Sequence, residues 1–180
     1  MKWIASLTLA VSFAGAASAD QETRPAPELR MVDSSGKAVK LGDYRGKVVV
    51  MQFLYTTCMH CQATARMLSR LQDELGPQGL QVIGVAFNPE AQRAGVVDEF
   101  VKANAIDFPV GPVSLDTALG YLGISAIERF VVPQIVVVDR RGMIRAQSSP
   151  QGTNELQDEN YLRTFLGGLL KKSSTTARRD

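Results

Sequence analysis

The sequence predicts an α/β fold: a central mixed sheet with helices on both faces. Three observations lead there. Three apolar runs rich in β-branched residues, 48–54, 80–87 and 134–138, have the length and composition of strands buried on both faces. Between and after them, apolar residues recur at spacings of three and four, as on helices packed against a sheet. After the third run come a turn, an alternating segment and a helical pattern, so part of the sheet pairs antiparallel. A chain of 180 residues, 45% hydrophobic, suits one such domain and fits two poorly.

The elements follow in order. Lys2, the apolar and small-residue run 4–16, and Ala17-Ser18-Ala19 form the three parts of a secretory signal. Residues 1–19 are therefore expected to be a signal peptide cleaved after Ala19, with the protein exported to a periplasmic or other extracytoplasmic space. The alternative is a retained anchor. Against it, the run is shorter than the roughly 20 residues a bilayer requires and is broken by Ser6, Thr8 and Ser12. Residues 20–172 are assigned to the folded domain and 173–180 to a polar, disordered tail. Residues 21–27 read as an extended lead-in. Two short alternating segments, 29–32 and 37–41, flank Asp33-Ser34-Ser35-Gly36 and predict a hairpin. After the first buried strand, Met67, Leu68, Leu71 and Leu75 mark a helix that Gly76-Pro77 stops, with Thr56 or Thr57 as its cap. After the second strand, residues 90–103 predict one helix carrying Val97, Phe100 and Val101. Leu115, Leu119 and Leu122 predict another. Asp139–Gly142 is a turn into the strand 143–148. Leu156, Leu162, Phe165, Leu166, Leu169 and Leu170 predict an amphipathic C-terminal helix.

Lys plus Arg number 20 and Asp plus Glu 18, a net charge of +2. So even a balance argues against nucleic acid as a partner, because phosphate backbones call for a concentrated basic surface. The two cysteines, Cys58 and Cys61, are more informative. An exported protein can hold a structural disulfide. A bridge three residues long, however, closes almost no loop and removes little unfolded-state entropy. A chemical role is the stronger reading. Cys58 falls at the first turn of the predicted helix, where unpaired N–H groups and the helix dipole favour a thiolate. It is expected to be the exposed, attacking thiol. Cys61, one turn further on, is expected to be the buried resolving thiol. His60, the sole histidine, would stabilise the thiolate further if cationic, or is a solvent-facing filler. Met59 is a candidate for a hydrophobic lip at the docking site, or is passive.

With these pieces in order, the chain resembles the thioredoxin superfamily, in particular exported TlpA/ResA-like thiol–disulfide oxidoreductases and the wider redoxin group. The resemblance spans residues 25–170. It rests on Pro25-Ala26-Pro27 and the hairpin, on 41–47 leading into the first buried strand, and on Cys58-Met59-His60-Cys61. Val132-Pro133-Gln134 before the third strand and the turn 139–142 complete it. It implies a thioredoxin-like three-layer sandwich with an N-terminal hairpin extension. It also implies a cis Pro133 beside the cysteines, and a Val132 backbone placed to bind an extended peptide substrate. The implied partners are exported proteins bearing thiols or disulfides, with a membrane thiol carrier as electron source and apocytochrome or oxidase assembly as the setting. The expected protein is a monomer with no cofactor beyond its redox-active disulfide and no metal. Two departures leave the direction of electron flow open: Thr57 replaces the usual Trp, and His60 replaces the Pro frequent in TlpA-like reductases. The family's functional Glu after the second strand aligns with Glu90 only after a shift of one residue, and a Glu beside a helix start is the simpler reading.

Two other functions remain. A peroxide-reducing redoxin would carry Thr or Ser three residues before its reactive cysteine; here Tyr55 precedes Cys58 at that distance, and Cys58 precedes Cys61. A copper-binding assembly protein of the Sco kind would use two thiolates, which suit Cu(I). Such proteins also have three residues between the cysteines and a distant His, and this chain has neither.

Overall fold

In the computed structural model, residues 24–152 and 155–171 are described. The assigned signal peptide and the C-terminal tail lie outside them. Arg24–Pro25 (β1) opens the chain, followed by the hairpin Arg30–Val32 (β2) and Ala38–Lys40 (β3). Then come Val48–Leu54 (β4), Met59–Leu75 (α1), Leu80–Ala86 (β5), Val96–Ala103 (α2) and Val110–Pro112 (β6). Leu115–Leu122 (α3), Gln134–Val138 (β7), Met143–Gln147 (β8) and Glu159–Lys171 (α4) complete the order. The sheet runs β1-β8-β7-β4-β5-β6. β4, β5 and β6 are parallel, while β7, β8 and β1 each pair antiparallel with their neighbour.

β4 explains the layering. All seven of its residues are buried, so successive side chains feed two cores on opposite faces. Val48, Val50 and Leu54 pack with α1, α2 and α4 through Leu68, Leu71, Phe100, Leu162 and Leu166. Val49, Met51 and Phe53 pack with α3 and the hairpin through Leu119, Leu122, Met31 and Val39. The hairpin forms its own two-stranded sheet and lies on this second face, so close to β6 that a Cβ on Gly111 would collide with the Val32 carbonyl.

The predicted strands stand within a residue of their expected ends. Three details differ. The lead-in is a short edge strand paired with Met143 and Ile144, because the β8 edge has free ladder groups to offer. The helix expected over 90–103 is two pieces, a 3₁₀ turn over Pro89–Gln92 and then α2. Gly95, at φ +84°, breaks the run between them. Leu156 belongs to a separate 3₁₀ turn before α4, whose buried stripe is Leu162, Leu166 and Leu170.

Candidate active site

β4 delivers the chain to the site. Beyond Leu54 the backbone turns, with the Cys58 N–H donating to the Tyr55 carbonyl at 3.1 Å. α1 then begins at Met59. Its sequence favours this: Ala, Met, Leu, Gln, Arg and Glu are strong helix formers, and no Gly or Pro intervenes before Gly76. Thr56 and Thr57 do not cap it. Cys58 does, in extended conformation, with Sγ accepting from the Cys61 N–H at 3.4 Å. The sulfur thus occupies the place that a Ser or Asp oxygen takes at an ordinary helix start. Thr56 is used elsewhere, bonded to Asn88.

Cys58 is half-buried rather than fully exposed, and Cys61 is buried. Burial pushes the Cys61 thiol far above its ordinary value, and the neighbouring Cys58 adds to the rise; the Tyr55 and Cys61 backbone groups only partly offset it. Across the site, the Val132–Pro133 peptide is cis, and the Cys58 thiol points to the Val132 carbonyl at 3.9 Å. Pro133 is buried behind it. Cys58, Cys61 and the Val132–Pro133 loop therefore converge. Met59 and His60 do not join them: Met59 is 79% exposed, and His60 lies on the solvent side of the first turn. Glu90 lies in the first turn of the 3₁₀ segment that precedes α2. It accepts a 2.8 Å hydrogen bond from Asn88, which holds its carboxyl below the usual range.

Three buried amides build the site, and only Gln134, which follows the Val132-Pro133 step, belongs to a motif read in the sequence. Gln52, in the middle of β4, donates to the Cys61 carbonyl at 2.8 Å. Gln134, the first residue of β7, donates to the Val131 carbonyl at 2.7 Å and to Ser149 at 3.1 Å, which braces the cis-proline loop. Asn88, two residues beyond β5, binds Thr56. The signal available in the sequence is an amide inside an apolar run, since a buried polar group is costly unless it is paired. A cleft of about 400 Å³ flanks the turn, lined by Thr57, Gln62, Arg66 and Phe100 among others. Among the described residues, no group of three or more His, Cys, Asp and Glu converges as a metal site, and no helix is long and apolar enough to cross a membrane.

The sequence model of the AhpC/TSA family matches residues 23–147, which contain both cysteines, the Val132–Pro133 step and the three amides. The chain belongs to the AhpC/TSA family. Curated proteins similar to this chain include thiol–disulfide oxidoreductases named ResA. That of Bacillus anthracis is 26% identical over 141 residues, 78% of this chain and 76% of its own. That of Bacillus subtilis (strain 168) is 31% identical over 89 residues, 49% and 48% of the two chains. Solved structures with the same fold include a thioredoxin family thiol:disulfide interchange protein from Chlorobium tepidum. It has a TM-score of 0.67 at 20% identity and covers 84% of this chain and 99% of that one. A secreted Mycobacterium tuberculosis disulfide oxidoreductase has a TM-score of 0.61 at 17% identity over 78% and 96%. This AhpC/TSA member is a ResA-like protein of the thioredoxin superfamily and a thiol–disulfide oxidoreductase.

Proposed function

We propose that this enzyme is exported and reduces disulfides in other exported proteins through Cys58 and Cys61, as part of cytochrome or oxidase assembly. The observation that carries the reading is the Cys58 sulfur acting as helix cap between the Cys61 N–H and the Val132 carbonyl. The Cys58 thiolate attacks one sulfur of the substrate disulfide. A mixed disulfide forms, and the other substrate sulfur leaves as a thiolate that takes up a proton. Cys61 then gives up its proton and attacks the Cys58 sulfur. The second substrate thiol is released and the Cys58–Cys61 disulfide remains, two electrons having passed to the substrate. A membrane thiol carrier returns the enzyme to the dithiol form. The Val132 backbone binds the extended segment around the substrate cysteine, and Met59 forms an apolar lip beside it. No cofactor is required, and the enzyme works as a monomer.

The deciding experiment is the reduction potential of the Cys58–Cys61 couple together with reduction of a protein disulfide by the dithiol form. A potential nearer about −270 mV than about −120 mV is expected for a reductase. A value at the oxidising end, with disulfides formed rather than broken, would reverse the direction proposed. The family match also favours testing peroxide reduction. With Tyr55 three residues before Cys58, no burst of peroxide consumption by the dithiol form is expected.

A further inference from the structure

The residue before the reactive turn that is held at most points is not a cysteine neighbour but Thr56, and the hand that holds it comes from the next strand. Asn88, 2% exposed, follows β5 by two residues. Its Oδ1 accepts from the Thr56 N–H at 3.0 Å, and its Nδ2 donates to the Thr56 Oγ1 at 3.0 Å. The Thr56 hydroxyl also approaches Oδ1 at 3.4 Å. The second Nδ2 proton goes to the Glu90 carboxylate at 2.8 Å. On its far side, the Thr56 carbonyl accepts from Gln62 Nε2 at 3.2 Å. Thr56 is 7% and Asn88 2% exposed, so the bonds between these two residues have no water as a ready substitute, and each one lost leaves an unsatisfied partner.

We propose that Asn88 is a positioning residue for Cys58. By gripping both the backbone and the hydroxyl of Thr56, it fixes the turn that sets the Cys58 sulfur between the Cys61 N–H and the Val132 carbonyl. The inference rests on the dithiol mechanism above. A turn of three residues between β4 and the helix cap has few internal restraints. Its Cys58 N–H bond to Tyr55 closes the turn but does not fix it relative to the sheet. Asn88 does that, because its own backbone is held in place: Phe87 N–H bonds to the Leu54 carbonyl at 3.1 Å, and the Asn88 carbonyl accepts from Ala91 at 3.0 Å. An amide suits the role. It offers an acceptor and donors in one plane, so it can take an N–H and give to a hydroxyl at once. An aspartate there could not donate.

The test is the pH profile of Cys58 alkylation in the reduced full chain, read by mass spectrometry, for wild type, Asn88→Ala, Thr56→Val and Thr56→Ser. Asn88→Ala is expected to slow alkylation at neutral pH by about threefold or more and to move the profile to higher pH, since the sulfur then loses its aligned N–H donor. Thr56→Val, which keeps the N–H bond but loses the hydroxyl, shifts it less in the same direction, and Thr56→Ser restores it. The double variant Asn88→Ala/Thr56→Val is no slower than Asn88→Ala alone. A folded Asn88→Ala protein with the wild-type profile overturns the proposal. If that variant does not fold, Thr56→Val with a wild-type profile overturns it. The wild-type arm is separate: a Cys58 that does not react at neutral pH would overturn the dithiol mechanism itself.

Discussion

At the scale of single residues, the two cysteines differ in environment more than in position. Cys58 is half-buried at the helix start, and Cys61 is on the buried face of α1 with its carbonyl held by Gln52. Cys61→Ser should therefore accumulate a mixed disulfide with substrate, visible as a higher band on non-reducing gels, and Cys58→Ser should form none. Burial raises the Cys61 thiol above the 9.0 of an ordinary one. The folded chain therefore keeps its proton where the unfolded chain releases it. The resulting stability of the dithiol form is complete below about pH 9 and is lost as pH rises further. A denaturation series from pH 7 to pH 10.5 should show the dithiol protein weakening above about pH 9, with Cys61→Ala weakening less. His60 stands second in α1, where a proline is tolerated. His60→Pro should lower the reduction potential, and an unchanged potential would remove His60 from the chemistry. The cysteine pair and the Val-Pro step were legible because their spacing carries chemistry. The cap was not. Thr56 and Thr57 are better cap residues than cysteine by type, and only the Asn88 contact, 32 residues away, withdraws Thr56 from the competition.

At the scale of elements, α1 carries the site and is held by one apolar stripe. Leu68, fully buried, lies among β4 and β5 side chains in the same core as Leu71 and Ala65. Leu68→Ala should cost about 2–5 kcal/mol in urea denaturation, a loss that a purely surface helix would not show. The buried strands were readable because residues closed in on both faces are apolar without interruption. Gln52 and Gln134 are the informative exceptions, amides whose partners lie on other elements and leave no local trace. The second helix was misjudged for the opposite reason. Residues 90–103 were read as one helix from Val97, Phe100 and Val101, all in its second half, and the break at Gly95 depends on a left-handed backbone that a lone glycine permits but does not announce. The lead-in was read as extended, but two residues carry too little pattern to declare an edge strand.

At the scale of the whole molecule, the sheet has two unlike ends. Cys58 and the cis-proline loop sit at the C-terminal end of β4. At the other end, Arg140 donates to the Gly46 carbonyl at 2.8 Å, to Gln78 at 3.0 Å and to Leu170 at 3.4 Å. One side chain thus ties the starts of β4 and β5 to the close of α4. Arg140→Ala should lower stability by about 2 kcal/mol, measured by thermal melting, and leave the rate of disulfide reduction at 25 °C unchanged. A coupled loss of rate in the folded protein would mean that the two ends communicate. The same end of the sheet receives the close of β1 and the close of α4, while Arg24 itself lies further up, bonded to Gln147. Ala26 bonds to the Gly142 carbonyl in the turn that also carries Arg140, and α4 finishes at Lys171 beside that arginine. β4, at about 3.3 Å per residue, stands between this foot and the sulfur. A label attached at Lys171 would sit at the end of the sheet opposite the reactive thiol and leave the cysteines open to a partner.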